Sequence, residues 1–294
     1  IVLCDYNIYD VFEYDNYCYN NNIKFLLVNT HGLYGYVFCD FGNNFVTSDI
    51  DGEQRKSGIL VGVEGEKNNI MVANEPHELQ VNDCILIKRN GKNDSNKYTV
   101  TDIIDINRFV LNDVFFEEKV LSNTEFYEIK KREIMKFLPL ETSILKPTFI
   151  ETDICNPKKS QTLHLFTKIM WLLNSALKNS VFNNNKENIF HPRIWNENDA
   201  TEIITMLKDE EDIDYNEDMF RKLSYTAAGK LCPINSIIGG IASQEIIKGC
   251  TGKYKPIHQW LYYDAIDIFP DIKLPFTGNI DNYLQSNSRY DSQN

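Results

Sequence analysis

The sequence has 294 residues, 43% of them hydrophobic and 24% charged, and its 30 Lys plus Arg against 42 Asp plus Glu leave a formal net charge of −12. That length and composition allow two domains with sizeable cores, exclude a wholly disordered chain, and contain no window of ~18 consecutive apolar residues able to span a membrane. The acidic balance argues against non-specific nucleic-acid binding and suits a basic partner through long-range steering.

Residues 1–3 form a short apolar run, residues 7–20 are polar with Ile8, Val11 and Phe12 on one side, and residues 23–28 form a continuous apolar run. This predicts β-α-β, and continuous apolar strands predict a parallel sheet covered on both faces. No G-x-G-x-x-G precedes any strand, so the phosphate cradle of a nucleotide-binding unit is missing. Asp40-Phe41-Gly42 has the form of a kinase metal-holding motif, yet a kinase's glycine-rich loop and H-R-D loop are both missing, which excludes that reading. The seven cysteines, Cys4, Cys18, Cys39, Cys84, Cys155, Cys232 and Cys250, are odd in number and include no C-x-x-C pair. They indicate neither a disulfide framework nor a zinc site, and fit a reducing intracellular setting.

From 43 to about 132 the pattern changes to short strands at 58–63, 69–73, 84–88, 97–104 and 108–111. Turn signals at Asp51-Gly52, Asn82-Asp83 and Asn90-Gly91 separate them, which predicts a small antiparallel β-barrel. Helical periodicity returns at Pro139. Leu140, Ile144 and Leu145 make one short apolar face, Leu163 to Leu177 a second, Ala200 to Leu207 a third, and Met219, Phe220, Leu223 and Ala227 a fourth, predicting a four-helix bundle. The asparagine-rich stretch Asn183 to Asn185 and the acidic run 208–218 read as solvated connections without chemistry. His164, a single His near an apolar face, reads as a packed or capped core residue rather than a metal ligand.

Residues 234–248 then place Ile234, Ile237, Ile238, Ile241 and Ile246 near a helical period, with Pro233 at the N-terminal edge and Gly249 at the stop. Gly239 and Gly240 fall mid-helix, where each costs up to ~1 kcal/mol relative to Ala, so they predict another backbone packed closely on that face. Lys255-Pro256 breaks the chain, and residues 259–263 read as a buried strand.

These last residues resemble the second half of the adenylation fold shared by sulfur-carrier and ubiquitin-activating enzymes. The matches are Pro233, Asn235, Gly239, Gly240, Gln244, Glu245 and Lys248 on the helix, Gly252, Lys253, Tyr254, Pro256 and Ile257 after it, and Gln259, Trp260, Leu261, Tyr262 and Asp264 on the strand. The run from Thr30 to Gly42 resembles a T-R-G-L-F-G…D-F/L-G segment of the ubiquitin-activating family, with His31 where the family usually has Arg. Asp51-Gly52-Glu53-Gln54 resembles the start of its first catalytic-cysteine half-domain, and Leu163, His164 and Phe166 resemble a motif of its helical bundle. Ser288-Arg289-Tyr290-Asp291 and Gln293 resemble the opening of its active adenylation domain. With a start at Ile1 in mid-pattern, this identifies the chain as an internal piece.

The resemblance implies an α/β fold, a partial Rossmann-like (ThiF-like) parallel sheet carrying an inserted barrel and helical bundle. Residues 1–42 and 223–280 would form part of the inactive adenylation domain, 43–132 the first catalytic-cysteine half-domain, 133–222 the four-helix bundle, and 281–294 a linker into the active adenylation domain. The parent would adenylate the ubiquitin C-terminus with ATP and Mg²⁺ and then form a ubiquitin thioester, in cytoplasm and nucleus. This piece would be scaffold and ubiquitin-facing surface, with no catalytic residue, no cofactor-binding residue and no metal ligand of its own. Its implied partners are ubiquitin, conjugating enzymes through parts outside this chain, and the active adenylation domain, with no nucleic acid and no membrane. The ubiquitin-facing candidates are Asn74, Glu75, Pro76, His77, Glu78 and Gln80, of which only His77 matches the family's Arg-His-Gly loop. Gly239, Gly240, Glu245, Trp260 and Asp264 form the structural motif. The alternatives are the smaller subunit of a heterodimeric modifier-activating enzyme and a non-enzymatic binding module for ubiquitin-like proteins.

Overall fold

A computed structural model describes residues 1–6, 8–65, 69–90, 92–112, 120–181, 197–208, 216–227 and 229–268. The Asn183 to Asn185 stretch, most of the acidic run (209–215) and the motif at 288–293 lie outside these residues. So do the side chains of Leu173, Leu177 and Leu207.

In chain order the elements are β1 (Val2–Cys4), α1 (Ile8–Asn20), β2 (Phe25–His31), β3 (Tyr34–Asp40), β4 (Phe45–Thr47), β5 (Ser57–Glu64), β6 (Ile70–Ala73), β7 (Cys84–Arg89), β8 (Lys92–Ile103), β9 (Arg108–Leu111), β10 (Val120–Ile129) and β11 (Glu133–Met135). After them come α2 (Leu140–Ser143), β12 (Phe149–Ile150), α3 (Lys159–Val181), α4 (Glu197–Lys208), α5 (Glu217–Thr226), α6 (Cys232–Thr251) and β13 (Trp260–Asp264). They fall into two compact units. Ile1–Phe45, Met135–Thr251 and the chain from Pro256 make the first; Val46–Ile134 with Gly252–Lys255 make the second.

The first unit is built on a five-stranded sheet in the order β1-β2-β3-β13-β12. Alternate residues of β2 point to opposite faces. Phe25 and Leu27 join a core with Val11 of α1 and with Phe166 and Ile169 of α3, whereas Leu26 and Val28 join Ile234, Ile238 and Ala242 of α6. Burial on both sides explains the unbroken apolar runs.

The expected parallel sheet is corrected to a mixed one. β1 runs parallel to β2 (Val2 beside Leu26) and β12 parallel to β13 (Phe149 beside Trp260), but β2 and β13 are both antiparallel to β3. The cause is the connection Gly32-Leu33 between β2 and β3, since a two-residue link can join only antiparallel neighbours. Gly32 sits at φ +53°, and a Cβ there would lie 1.8 Å from the Thr226 carbonyl oxygen. No other residue fits that position.

The helical region also departs from expectation. α3, α4 and α5 are long, but α2 is a single turn, so the four-helix bundle is not seen among the described residues. Pro139 precedes α2, and Pro147, four residues past its end, bars any continuation of the helix there. α5 is capped by Asn216, whose side chain accepts from the Met219 N–H.

On α6 the packed face is Ile234, Ile238, Ala242, Glu245 and Gly249. Gly239 and Gly240 lie on the other side, and a Cβ on either would meet nothing within 4 Å. The expected backbone partner is thus not seen among the described residues. Glu245, 1% exposed, ties the helix to the loop before β13. Its Oε2 accepts from the Ile257 N–H at 2.8 Å, and Lys248 Nζ donates to its Oε1 at 2.5 Å.

In the second unit β10-β5-β6-β9-β8-β7 close into a barrel in which every adjacent pair is antiparallel. Its interior holds Leu60, Val63, Met71, Ile85, Ile87, Val100, Phe109 and Phe126. Gly252–Lys255 belong to this unit: the Gly252 carbonyl accepts from Ser48 N–H, Tyr254 N–H donates to the Asp49 carbonyl, and Lys255 pairs with Glu133. The Tyr254 ring lies over Gly52, where a Cβ would come within 2.1 Å of it. That contact accounts for Gly52 in the Asp51-Gly52-Glu53-Gln54 run.

Glu245→Ala is expected to lower unfolding stability by about 2–3 kcal/mol, because it strands a buried N–H and removes the partner of Lys248. Glu245→Gln, which keeps an acceptor for Ile257, is expected to cost less. Urea unfolding of the 294-residue chain measures both, and an alanine variant as stable as the parent would contradict the anchoring role.

Candidate functional site

The segment 74–80 leaves β6 at the rim of the barrel and is braced by main-chain bonds at both ends. Asn74 N–H donates to the Ile59 carbonyl at 2.9 Å and His77 N–H to the Ile106 carbonyl at 3.0 Å. At the far end Gln80 N–H donates to Asp83 Oδ2 at 2.8 Å, and the same oxygen accepts from Lys56 Nζ at 2.9 Å.

His77 holds the middle. Its Nδ1 accepts from the Leu79 N–H at 3.0 Å, so Nε2 carries the proton and donates to the Asp105 carbonyl at 3.0 Å. The ring packs edge-on against Phe109 at 4.9 Å and is 4% exposed. Among the six ubiquitin-facing candidates, His77 therefore points inward as the brace, while Asn74, Glu75, Pro76, Glu78 and Gln80 are exposed. Beside them the turn before β9 presents Ile106, 71% exposed. In that turn Asp105 is held below the usual carboxylate range by the Asn107 N–H and by Arg108, whose Nε donates to it at 2.7 Å. The surface is acidic, partly apolar and rigidly supported. It can dock a partner, and it assembles no acid, base or nucleophile.

The motif residues of the first unit do a different job. Trp260 Nε1–H donates to Ser143 Oγ at 2.9 Å, Ser143 Oγ–H donates to Gln259 Oε1 at 3.2 Å, and Gln259 Nε2–H donates to the Leu138 carbonyl at 2.6 Å. Two residues along, Tyr262 O–H donates to His164 Nδ1 at 2.8 Å, and His164 Nε2–H donates to the Ile144 carbonyl at 2.9 Å. Burial lowers the His164 pKa to about 4, so the ring is neutral, and both nitrogens are engaged inside the protein. It is the packed, bonded core histidine expected from its setting. Asp264 accepts from Lys159 Nζ at 3.1 Å, which also reaches Asp267 at 2.7 Å. His31 is likewise buried, against the Tyr34 and Tyr36 rings, and burial followed by repulsion from Lys230 lowers its pKa to about 3. It cannot supply the charge of the arginine it replaces.

Ser143 and Lys159 were not recognisable beforehand, because their partners lie over a hundred residues away in the chain. Asp15 did leave a trace: it stands between Val11 and Cys18 on the apolar stripe of α1. All seven cysteines are free thiols. Burial raises the pKa of Cys4, Cys18 and Cys39, with Asp5 adding to the first and Glu245 to the last, the opposite of what a nucleophile needs. Among the described residues no group of three or more His, Cys, Asp or Glu could hold a metal ion, and no helix is long and apolar enough to cross a membrane.

No protein-family model matches the chain. Along its whole length it is 30% identical to rat ubiquitin-like modifier-activating enzyme 1 and 27% identical to Arabidopsis thaliana ubiquitin-activating enzyme E1 2. Mouse ubiquitin-like modifier-activating enzyme 6 is 28% identical across 95% of it. The chain spans 26–28% of the length of these relatives. The likeness extends along the whole chain, which is thus similar to one part of the ubiquitin-activating and ubiquitin-like-modifier-activating enzymes.

Proposed function

We propose that this chain is the scaffold and modifier-facing part of a ubiquitin-activating enzyme. The parent adenylates the ubiquitin C-terminus with ATP and Mg²⁺, passes the acyl group to a cysteine as a thioester and delivers it to a conjugating enzyme, in cytoplasm and nucleus. The observation that carries this reading is similarity along the whole chain to such enzymes, in a sequence that lacks the phosphate cradle adenylation requires.

In this reading the five-stranded sheet is part of an incomplete ThiF-like adenylation domain made from residues 1–42 and 223–280. Residues 43–132 are its inserted first catalytic-cysteine half-domain, 133–222 its four-helix bundle, and 281–294 the link to an active adenylation domain. That active domain is the partner for the uncovered face of α6, where Gly239 and Gly240 permit close approach. Ubiquitin meets the barrel rim at Asn74, Glu75, Pro76, Glu78 and Gln80, with His77 setting the shape of that loop. ATP and Mg²⁺ belong to the parent's active domain. The described residues include no cluster suited to the metal, and the adenylation step is not routed through them.

Charge reversal at Glu75 and Glu78 in the intact enzyme is expected to weaken ubiquitin binding several-fold at low salt, roughly the reach of exposed rim charges, and the difference should shrink as salt rises. An affinity unchanged at low salt would count against the loop. Incubated with ATP, Mg²⁺ and ubiquitin, the 294-residue chain is expected to form no thiol-sensitive adduct on a non-reducing gel and to catalyse no ATP–pyrophosphate exchange. Either signal would overturn the scaffold reading.

A further inference from the structure

α1 carries an acid on its buried stripe. Val11 and Cys18 are fully buried, and Asp15, spaced between them on the same helix face, is 1% exposed. Asp40, at the end of β3, is also 1% exposed. The two carboxyls lie within hydrogen-bonding reach of each other.

Each acid spends one oxygen on a backbone donor. Asp15 Oδ2 accepts from the Leu140 N–H at 2.6 Å, at the start of α2, and Asp40 Oδ1 accepts from the Gly42 N–H at 2.8 Å. The remaining oxygens, Asp15 Oδ1 and Asp40 Oδ2, are buried and receive no donor. Two adjacent buried carboxylates, each with an unsatisfied oxygen, would be strongly disfavoured. One proton removes both defects: it neutralises one acid and makes it the donor to the other.

We propose that Asp15 and Asp40 share a single proton at neutral pH, and that this proton is an alkaline-sensitive clasp fastening α1 and the start of α2 to the end of β3. Burial, and then the Asp40 charge, push the Asp15 pKa up to about 8. Burial raises Asp40 to about 6 against the lowering effect of the Gly42 N–H. The two values describe the pair as a unit. Among the described residues the Cys18 thiol on α1 feels both acids and the N-terminal ammonium of Ile1; Cys39, next to Asp40 on β3, feels the Asp40 charge but turns to the opposite face, towards Glu245.

An unfolded carboxyl titrates near ~3.9, so between there and about pH 8 the folded chain holds more protons than the unfolded one. The pair's contribution is therefore fully present below pH ~4 and lost as pH rises through the folded values. Above about pH 8 two like charges face each other and the clasp opens.

Replacing either acid by Asn supplies the shared hydrogen permanently. In Asp15→Asn the amide NH₂ donates to Asp40, and its oxygen still accepts from Leu140. Asp40→Asn works in mirror image, whereas the double variant sets two NH₂ groups against each other. The test is the urea midpoint of the 294-residue chain from about pH 6 to about pH 9, together with infrared detection of a protonated carboxylic acid at neutral pH. The expected result is a midpoint that falls with pH in the parent, a slope at least halved in each single variant, and a double variant less stable than either. The acid carbonyl band should be present in the parent, fade above about pH 8, and be missing from Asp15→Asn. Equal slopes in parent and single variants, or no acid band in the parent at neutral pH, would overturn the proposal. Should both variants fail to fold, the parent's band and its loss with pH decide the matter alone.

Discussion

The sheet of the first unit is buried on both faces, and most of what surrounds it follows from that constraint. A strand covered on both sides cannot leave polar main-chain groups to water, so each must find a neighbour strand or a side chain. β2 and β3 achieve this by a seven-residue register in which all but Thr30 are buried. α1 and α3 then cover one face and α6 the other. Gly32 is the smallest part of that arrangement and among the least replaceable, because the turn linking the two strands passes directly against the Thr226 carbonyl.

The polar residues around β13 complete the same logic. Where a covered sheet ends, donors and acceptors outrun the strand ladder, and side chains must take them up. Gln259 and Ser143 carry the Leu138 carbonyl and the Trp260 indole; His164 carries Tyr262 and the Ile144 carbonyl; Lys159 carries Asp264. A fully satisfied buried network of this kind fixes the position of α2 and α3 on the sheet more sharply than apolar contact alone. The polar side chains of Gln259, Trp260, Tyr262 and Asp264, read in sequence as part of a structural motif, are thus engaged inside the protein.

How much was legible beforehand divides along physical lines. Period-2 strands separated by Asp-Gly and Asn-Gly turns announced the barrel, since those signals are local. The apolar runs announced a doubly covered sheet, but its strand directions depended on a two-residue turn that the runs do not encode. The short helical face from Leu140 was legible, but not that it would be a single turn rather than one wall of a bundle, since apolar spacing does not encode which helices pack together. The glycine pair on α6 was read as evidence of close packing, but in this chain it faces open space. At the barrel rim the sequence marked residues 74–80 as a loop after a strand, whereas the inward turn of His77 was not legible, because its bonds run to Asp105 and its ring to Phe109.

His77 and the exposed residues beside it separate two requirements that a binding loop must meet together. A loop that presents side chains to a partner loses affinity if it must be ordered on contact, so its shape is best set beforehand from within. Here the neutral ring uses both nitrogens and its edge on the barrel interior, and the charges of Glu75 and Glu78 stay in solvent. Such exposed charges contribute steering and register more than binding strength. In the function proposed above, a docking surface needs rigidity and a sign of charge, and the bond-making groups can reside elsewhere.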